Sequence, residues 1–209
     1  LKSTIKPRIE QSNRLFRDVA SQGGTDPHAR EHLAPQLLLL TLADDGFGGR
    51  CDPLSKLVLV AKQLESEGQP DLARRMMEKL YSAAAVINNP DRYSAAELDN
   101  ARKLVGSLAE IHNNTPASYN YDSLRSIKYD IVKEKWEGKS AISLDSVLGK
   151  LTAKGNAAPV LLELDAPGHA MAAWSKQGES GRVYGFYDPN VGIVEFSSAE
   201  KFSRYMTRF

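Results

Sequence analysis

The periodicity of the apolar residues changes once along this chain, and that change limits the fold classes open to it. Up to about residue 155 the apolar positions recur at helical spacing. From Pro159 onward they come in short runs separated by turn residues. Helices gathered in one half and strands in the other specify an α+β architecture and argue against a doubly wound α/β fold. Of the residues, 42% are hydrophobic and 25% charged, enough to bury a sizeable core in 209 residues. The net charge of +1 gives no global case for a nucleic-acid or anionic-membrane partner.

The first 35 residues are polar and weakly periodic, and Gly23-Gly24-Thr25-Asp26-Pro27 interrupts any helix started over residues 9–20. They read as a helical arm and a loop. Residues 36–43 are apolar and leave open a buried helical turn or a short strand. Gly46-Phe47-Gly48-Gly49-Arg50-Cys51-Asp52-Pro53-Leu54-Ser55 then leads from a glycine loop into a helix running to about residue 66. Gly68-Gln69-Pro70 is a turn, and Leu72, Met76, Leu80, Ala84 and Ile87 form the stripe of a helix over 71–87 that Asn88-Asn89-Pro90 stops. Ser94 and Glu97 have capping-box spacing for the helix that follows, and His112 at its far end reads as a dipole cap. Residues 113–121 read as a polar aromatic loop, residues 123–136 as a short helical stretch, and Ser143 as the start of a further helix. Strands are predicted over 159–164, 169–176, 182–187 and 192–196. A last helix, capped by Ser197 with Glu200, carries Phe202 and Tyr205.

Cys51 is the chain's one cysteine, so no disulfide forms within it. Its place at a helix N-terminus favours the thiolate, the nucleophilic form, although a lone cysteine is commonly a small buried apolar residue. Cysteine catalysis needs a base and a group that orients the base. His169 opens a strand directly after Pro167-Gly168, and Asp188 closes the next strand in Tyr187-Asp188-Pro189-Asn190. Two hairpin-connected strands bring a strand-start residue and a strand-end residue together across the ladder. Taken singly, His169 reads as a surface residue after a turn, and Asp188 as turn chemistry. Their order after Cys51, each at the end of a suitable element, points to a Cys51–His169–Asp188 triad. Asp52 reads as a helix N-cap. Arg50 is equally consistent with contact to a substrate or activator, with lowering of the thiol pKa, and with a local ion pair.

Three segments carry a resemblance: Gly49-Arg50-Cys51-Asp52-Pro53-Leu54-Ser55, Gly168-His169-Ala170-Met171-Ala172, and the run from Phe186 to Phe196. Together they resemble the YopT/AvrPphB-type papain-like cysteine proteases of bacterial effectors. The Arg50-Cys51-Asp52 tripeptide is most similar to the "makes caterpillars floppy" effector domains of large bacterial toxins. The resemblance implies a papain-like fold, with residues 1–35 as an arm and 36–209 as the catalytic domain. Cys51 becomes the nucleophile, His169 the general base and acid, and Asp188 the orienting group. It further implies a self-processing thiol protease, secreted by a bacterium and delivered to the host cytoplasm, acting on protein and activated by a host ADP-ribosylation factor GTPase. Papain-like enzymes place a glutamine or asparagine shortly before the cysteine to bind the oxyanion, where this chain has Asp44 and Asp45. The candidate oxyanion and flanking residues are therefore Asp45, Gly49, Arg50 and Asp52, together with the Cys51 backbone N–H.

Two other functions use the same residues. An acyltransferase would resolve the acyl-enzyme with an amine, and a host-protein-binding module would use the cysteine only on itself or not at all. His28 and His32 would share one face of a helix, but no further ligand completes a zinc set. No P-loop or dinucleotide fingerprint is present. No cofactor is expected. No leader pattern opens the chain, and its first residue, Leu1, suggests a piece of a longer protein.

Overall fold

A computed structural model of the chain describes residues 32–33, 51–113, 119–120, 128–129, 143–155, 157–166, 169–189 and 192–208. It divides into two compact units, residues 36–139 and residues 1–35 together with 140–209.

The first unit is helical. Helix α1 (Cys51–Ser66) is followed by α2 (Pro70–Asn88), a 3-10 turn (Pro90–Arg92) and α3 (Ala95–Asn113), and all three helices pack on one another. Leu54, Leu57, Val58, Leu59, Val60, Ala61 and Leu64 are all buried, so α1 is enclosed around nearly its whole circumference. A helix apolar on every side is stable only when surrounded in this way. Gly68 ends α1 with φ +77. Around it Gln69 N–H donates to the Leu64 carbonyl at 2.8 Å and Gly68 N–H to that of Glu65 at 3.3 Å. This is a Schellman closure, which needs a left-handed residue at that point and hence glycine. Pro70 then opens α2, where a missing N–H is harmless. Of the expected stripe of α2, Met76 and Ile87 are buried and Leu72 is half-buried, with Ala73 buried beside them, while the side chains of Leu80 and Ala84 lie outside the described residues.

Ser94 and Glu97 form the capping box read from their spacing. Ser94 N–H and Oγ donate to the Glu97 carboxylate at 2.8 and 2.7 Å, and Glu97 N–H donates back to Ser94 Oγ at 3.3 Å. The end of this unit differs from expectation. Lys128–Tyr129 (β3) is a strand paired antiparallel with Tyr119–Asn120 (β2), where a helix was expected over 123–136. Tyr119 stands opposite Tyr129 in the register, and tyrosine is a residue type that favours strands, which outweighs the weak helical spacing.

The second unit is a sheet with two helices. Strands β4 (Val160–Ala166), β5 (His169–Gly178), β6 (Gly181–Asp188) and β7 (Gly192–Phe196) form an antiparallel meander. The two-residue strand β1 (His32–Leu33) joins the free side of β7, giving the order β1-β7-β6-β5-β4. His32 is therefore on a strand, not on a helix face shared with His28. Helices α4 (Leu144–Thr152) and α5 (Ala199–Arg208) pack on the sheet. Ser143 caps α4 by accepting from Ser146 N–H at 3.2 Å. At α5 the accepting hydroxyl is Ser198, from Lys201 N–H at 3.3 Å, one residue beyond the expected Ser197.

The register sorts the side chains between two faces. Ala173, Phe186 and Val194 lie opposite one another across β5, β6 and β7, and they share a core with Leu151 of α4 and Phe202 and Tyr205 of α5. The next row, Trp174, Gly185 and Glu195, projects to the other face. There the Trp174 indole lies across Gly185 and its Nε1 donates to Glu195 Oε1 at 3.1 Å. A methyl group on residue 185 would stand 2.0 Å from that ring. Only glycine lets tryptophan reach its acceptor two strands away.

Two outcomes follow from these contacts. Gly185→Ala displaces the buried indole and should destabilise the sheet unit by about 1–3 kcal/mol, the usual cost of overpacking, read from urea unfolding followed by tryptophan fluorescence. The Ser94 hydroxyl and N–H hold the Glu97 carboxyl below its ordinary value of 4.5. A folded-state pKa lowered in this way adds stability above the ordinary value that is lost as pH falls through the lowered one. Glu97→Ala should therefore lower the unfolding midpoint at neutral pH, by an amount that shrinks as the pH falls through the lowered value.

Candidate functional site

His169 and Asp188 are brought together by strand register. Ala172 stands opposite Tyr187, which places Asp188 level with Met171 and makes His169 its diagonal neighbour two residues along. Alternation puts both on the face that carries Ala173 and Phe186, at the end of the sheet beyond the core. The contact is direct: His169 Nε2 and Asp188 Oδ1 are 2.9 Å apart. The Asp188 side chain is 8% exposed and that of His169 is 22% exposed. A carboxylate enclosed to that degree needs a donor, and the imidazole provides one. Because a carboxylate oxygen accepts, Nε2 donates, and Nδ1 is the nitrogen that carries the lone pair. The aspartate thus selects one tautomer and fixes the ring plane.

Cys51 belongs to the helical unit, where it is the first residue of α1 and half-buried. Its position at the helix start is the one expected, where the macrodipole favours negative charge. Asp52 differs from expectation. It sits inside the first turn, where it pairs with Lys56 at 2.6 Å, and does not stand at the boundary as a cap. The helix already begins at Cys51, so residue 52 has no N-cap geometry to adopt. Lys56 went unnoticed in the sequence, although an acidic and a basic residue four apart is the spacing of a helical ion pair. Asp44, Asp45, Gly49 and Arg50 lie outside the described residues.

Among the described residues, no group of three or more His, Cys, Asp or Glu side chains could hold a metal ion. No helix among them is long and apolar enough to cross a membrane. A histidine held by a buried carboxylate is equipped to accept and return a proton, and a thiol at a helix start is equipped to ionise.

Residues 3–209 match the model of the Mcf1 protease effector domain family. The chain is 59% identical over 210 residues to the Multifunctional-autoprocessing repeats-in-toxin of Vibrio vulnificus, taking in all of this chain and 4% of that protein's length. Among solved structures it is similar to PatoxP, a cysteine protease-like domain of the Photorhabdus asymbiotica toxin PaTox. That likeness has a TM-score of 0.49 and 20% identity, over 99% of this chain and 56% of the other.

The His169–Asp188 geometry predicts the neutral ring to be protonated on Nε2. Nitrogen-15 NMR of the imidazole should show that tautomer dominant in the native chain and a mixture in Asp188→Ala. A mixture already present in the native chain would contradict the hydrogen bond.

Proposed function

The chain belongs to the Mcf1 protease effector domain family, and we propose that it is a papain-like cysteine peptidase whose triad is Cys51, His169 and Asp188. The observation that carries this reading is the Nε2–Oδ1 hydrogen bond of 2.9 Å between His169 and a buried Asp188. Its support on the thiol side is the start of α1 at Cys51, where a helix N-terminus favours sulfur as the anion.

In this mechanism His169 Nδ1 takes the proton of the Cys51 thiol, and the sulfur attacks the carbonyl carbon of a peptide bond. The carbonyl oxygen becomes an oxyanion that accepts from the Cys51 backbone N–H. Asp45, Gly49 and Arg50 are the residues to test for the rest of that site, while the Asp52 carboxylate is held by Lys56. The tetrahedral intermediate collapses as His169 gives its proton to the leaving amine, leaving a thioester on Cys51. Water, deprotonated by the same imidazole, then attacks the thioester and releases the acid and the thiol. Asp188 holds the ring in the tautomer that starts the cycle and stabilises the imidazolium formed within it.

The substrate in this reading is protein, beginning with the sequence that flanks residues 36–209 in a longer toxin, with residues 1–35 as an arm. The working compartment is the host cytoplasm, and the activator is a host ADP-ribosylation factor GTPase. The test is cleavage of a longer chain that carries its native flanks, with and without the GTP-loaded GTPase. Cys51→Ala should abolish cleavage, and His169→Ala should slow it by about 10²–10⁴-fold, with Asp188→Ala milder. Undiminished cleavage by Cys51→Ala would remove the proposal.

A further inference from the structure

The first turn of α1 holds two groups with opposed electrostatic effects on a thiolate. The helix N-terminus stabilises negative charge on Cys51, while the carboxylate of Asp52, on the next residue, opposes it. An acidic residue in a first turn is ordinarily favourable for the helix, but next to a nucleophilic sulfur it hinders ionisation. Lys56 resolves the conflict. One turn along the helix, its Nζ lies 2.6 Å from Asp52 Oδ1, and the two side chains are 11% and 20% exposed. Neighbouring solvent therefore screens this pair weakly, and the charges act on their surroundings at short range. The ion pair also ties the carboxylate to the side chain one turn along the helix.

We infer that Lys56 is a positioning residue for Cys51: by holding and neutralising the Asp52 carboxylate, it lets the first turn keep its acidic residue without suppressing the reactivity of the thiol. This rests on the reading of Cys51 as the nucleophile. It assigns the Asp52–Lys56 pair a chemical purpose distinct from helix stability, because a pair serving only the helix would be equally useful with no cysteine beside it.

The two partners must then act with opposite signs, which a purely structural pair does not do. The experiment is the rate of Cys51 alkylation by iodoacetamide at one near-neutral pH, in which the thiolate forms a carbon–sulfur bond and iodide leaves. Native chain, Lys56→Met, Lys56→Arg, Asp52→Asn and the double variant Asp52→Asn/Lys56→Met are compared, with circular dichroism confirming that each is folded. Lys56→Met should slow alkylation by about three- to tenfold, since an added anionic influence near a thiol favours the protonated form. Lys56→Arg should restore the rate, Asp52→Asn should match or exceed the native rate, and the double variant should return close to native.

An unchanged rate in folded Lys56→Met overturns the inference. So does Asp52→Asn slowing the reaction as much as Lys56→Met. If Lys56→Met fails to fold, the Asp52→Asn rate decides alone, a slower rate overturning the proposal. A native thiol no faster than glutathione overturns the nucleophile reading itself, and the inference with it.

Discussion

The register between β5 and β6 is the constraint on which the sheet unit depends. It places Ala173 against Phe186 in the core, lays Trp174 across Gly185, and leaves His169 and Asp188 as same-face neighbours at the end of the ladder. A slip of one residue would turn every one of these side chains to the opposite face. The Gly178–Gly181 pairing that closes the hairpin, with Gly181 at φ +125, leaves the strands no slack to slip. Packing and candidate chemistry are thus fixed by one alignment. The large residues that cannot change faces hold the polar pair at the edge of the core.

The helical unit supplies its group by a different route. Cys51 owes its position to the start of a helix that is apolar on every side and anchored by the Schellman closure at Gly68. A helix gripped around its circumference cannot roll, so the direction of its first residue is set by burial many residues away. Asp52 and Lys56 lie within that same rigid turn. Their charges are therefore presented in a constant arrangement, unlike those of exposed pairs such as Arg74 with Glu78, whose side chains are free to exchange partners with water.

Much of this was legible in the sequence because local rules were strong. The α+β division, the start of α1 at Cys51, the Ser94–Glu97 box and the meander from residue 160 to 196 all follow from spacing and turn chemistry. The meeting of His169 with Asp188 was also readable, since a hairpin between them fixes which residues face each other. Where the local signal was weak, it misled. Residues 128–129 carry helix-compatible spacing, yet their fate was decided by pairing with Tyr119 and Asn120, a tertiary event. The cap of α5 fell on the second of two adjacent serines, a choice that spacing alone cannot make. Asp52 read as a cap, and only the helix start at Cys51 reassigns it. The Trp174–Glu195 bond spans three strands, and no periodicity in the chain announces it.

The two residues of β1 come from the beginning of the chain, and their partners, Gly192 and Ile193, from near its end. That pairing closes a loop containing nearly everything else in the protein, while the β5–β6 hairpin closes almost none. Closure entropy rises with loop length, and a two-residue strand has few bonds to set against it. The His169–Asp188 pair therefore sits on the part of the sheet closed by a short loop, and β1 on the part whose closure costs the most chain entropy. Asp188 and Leu33 are both paired with Gly192, from its two sides. The longest closure in the sheet is thus made one residue pair away from the carboxylate that holds the His169 ring.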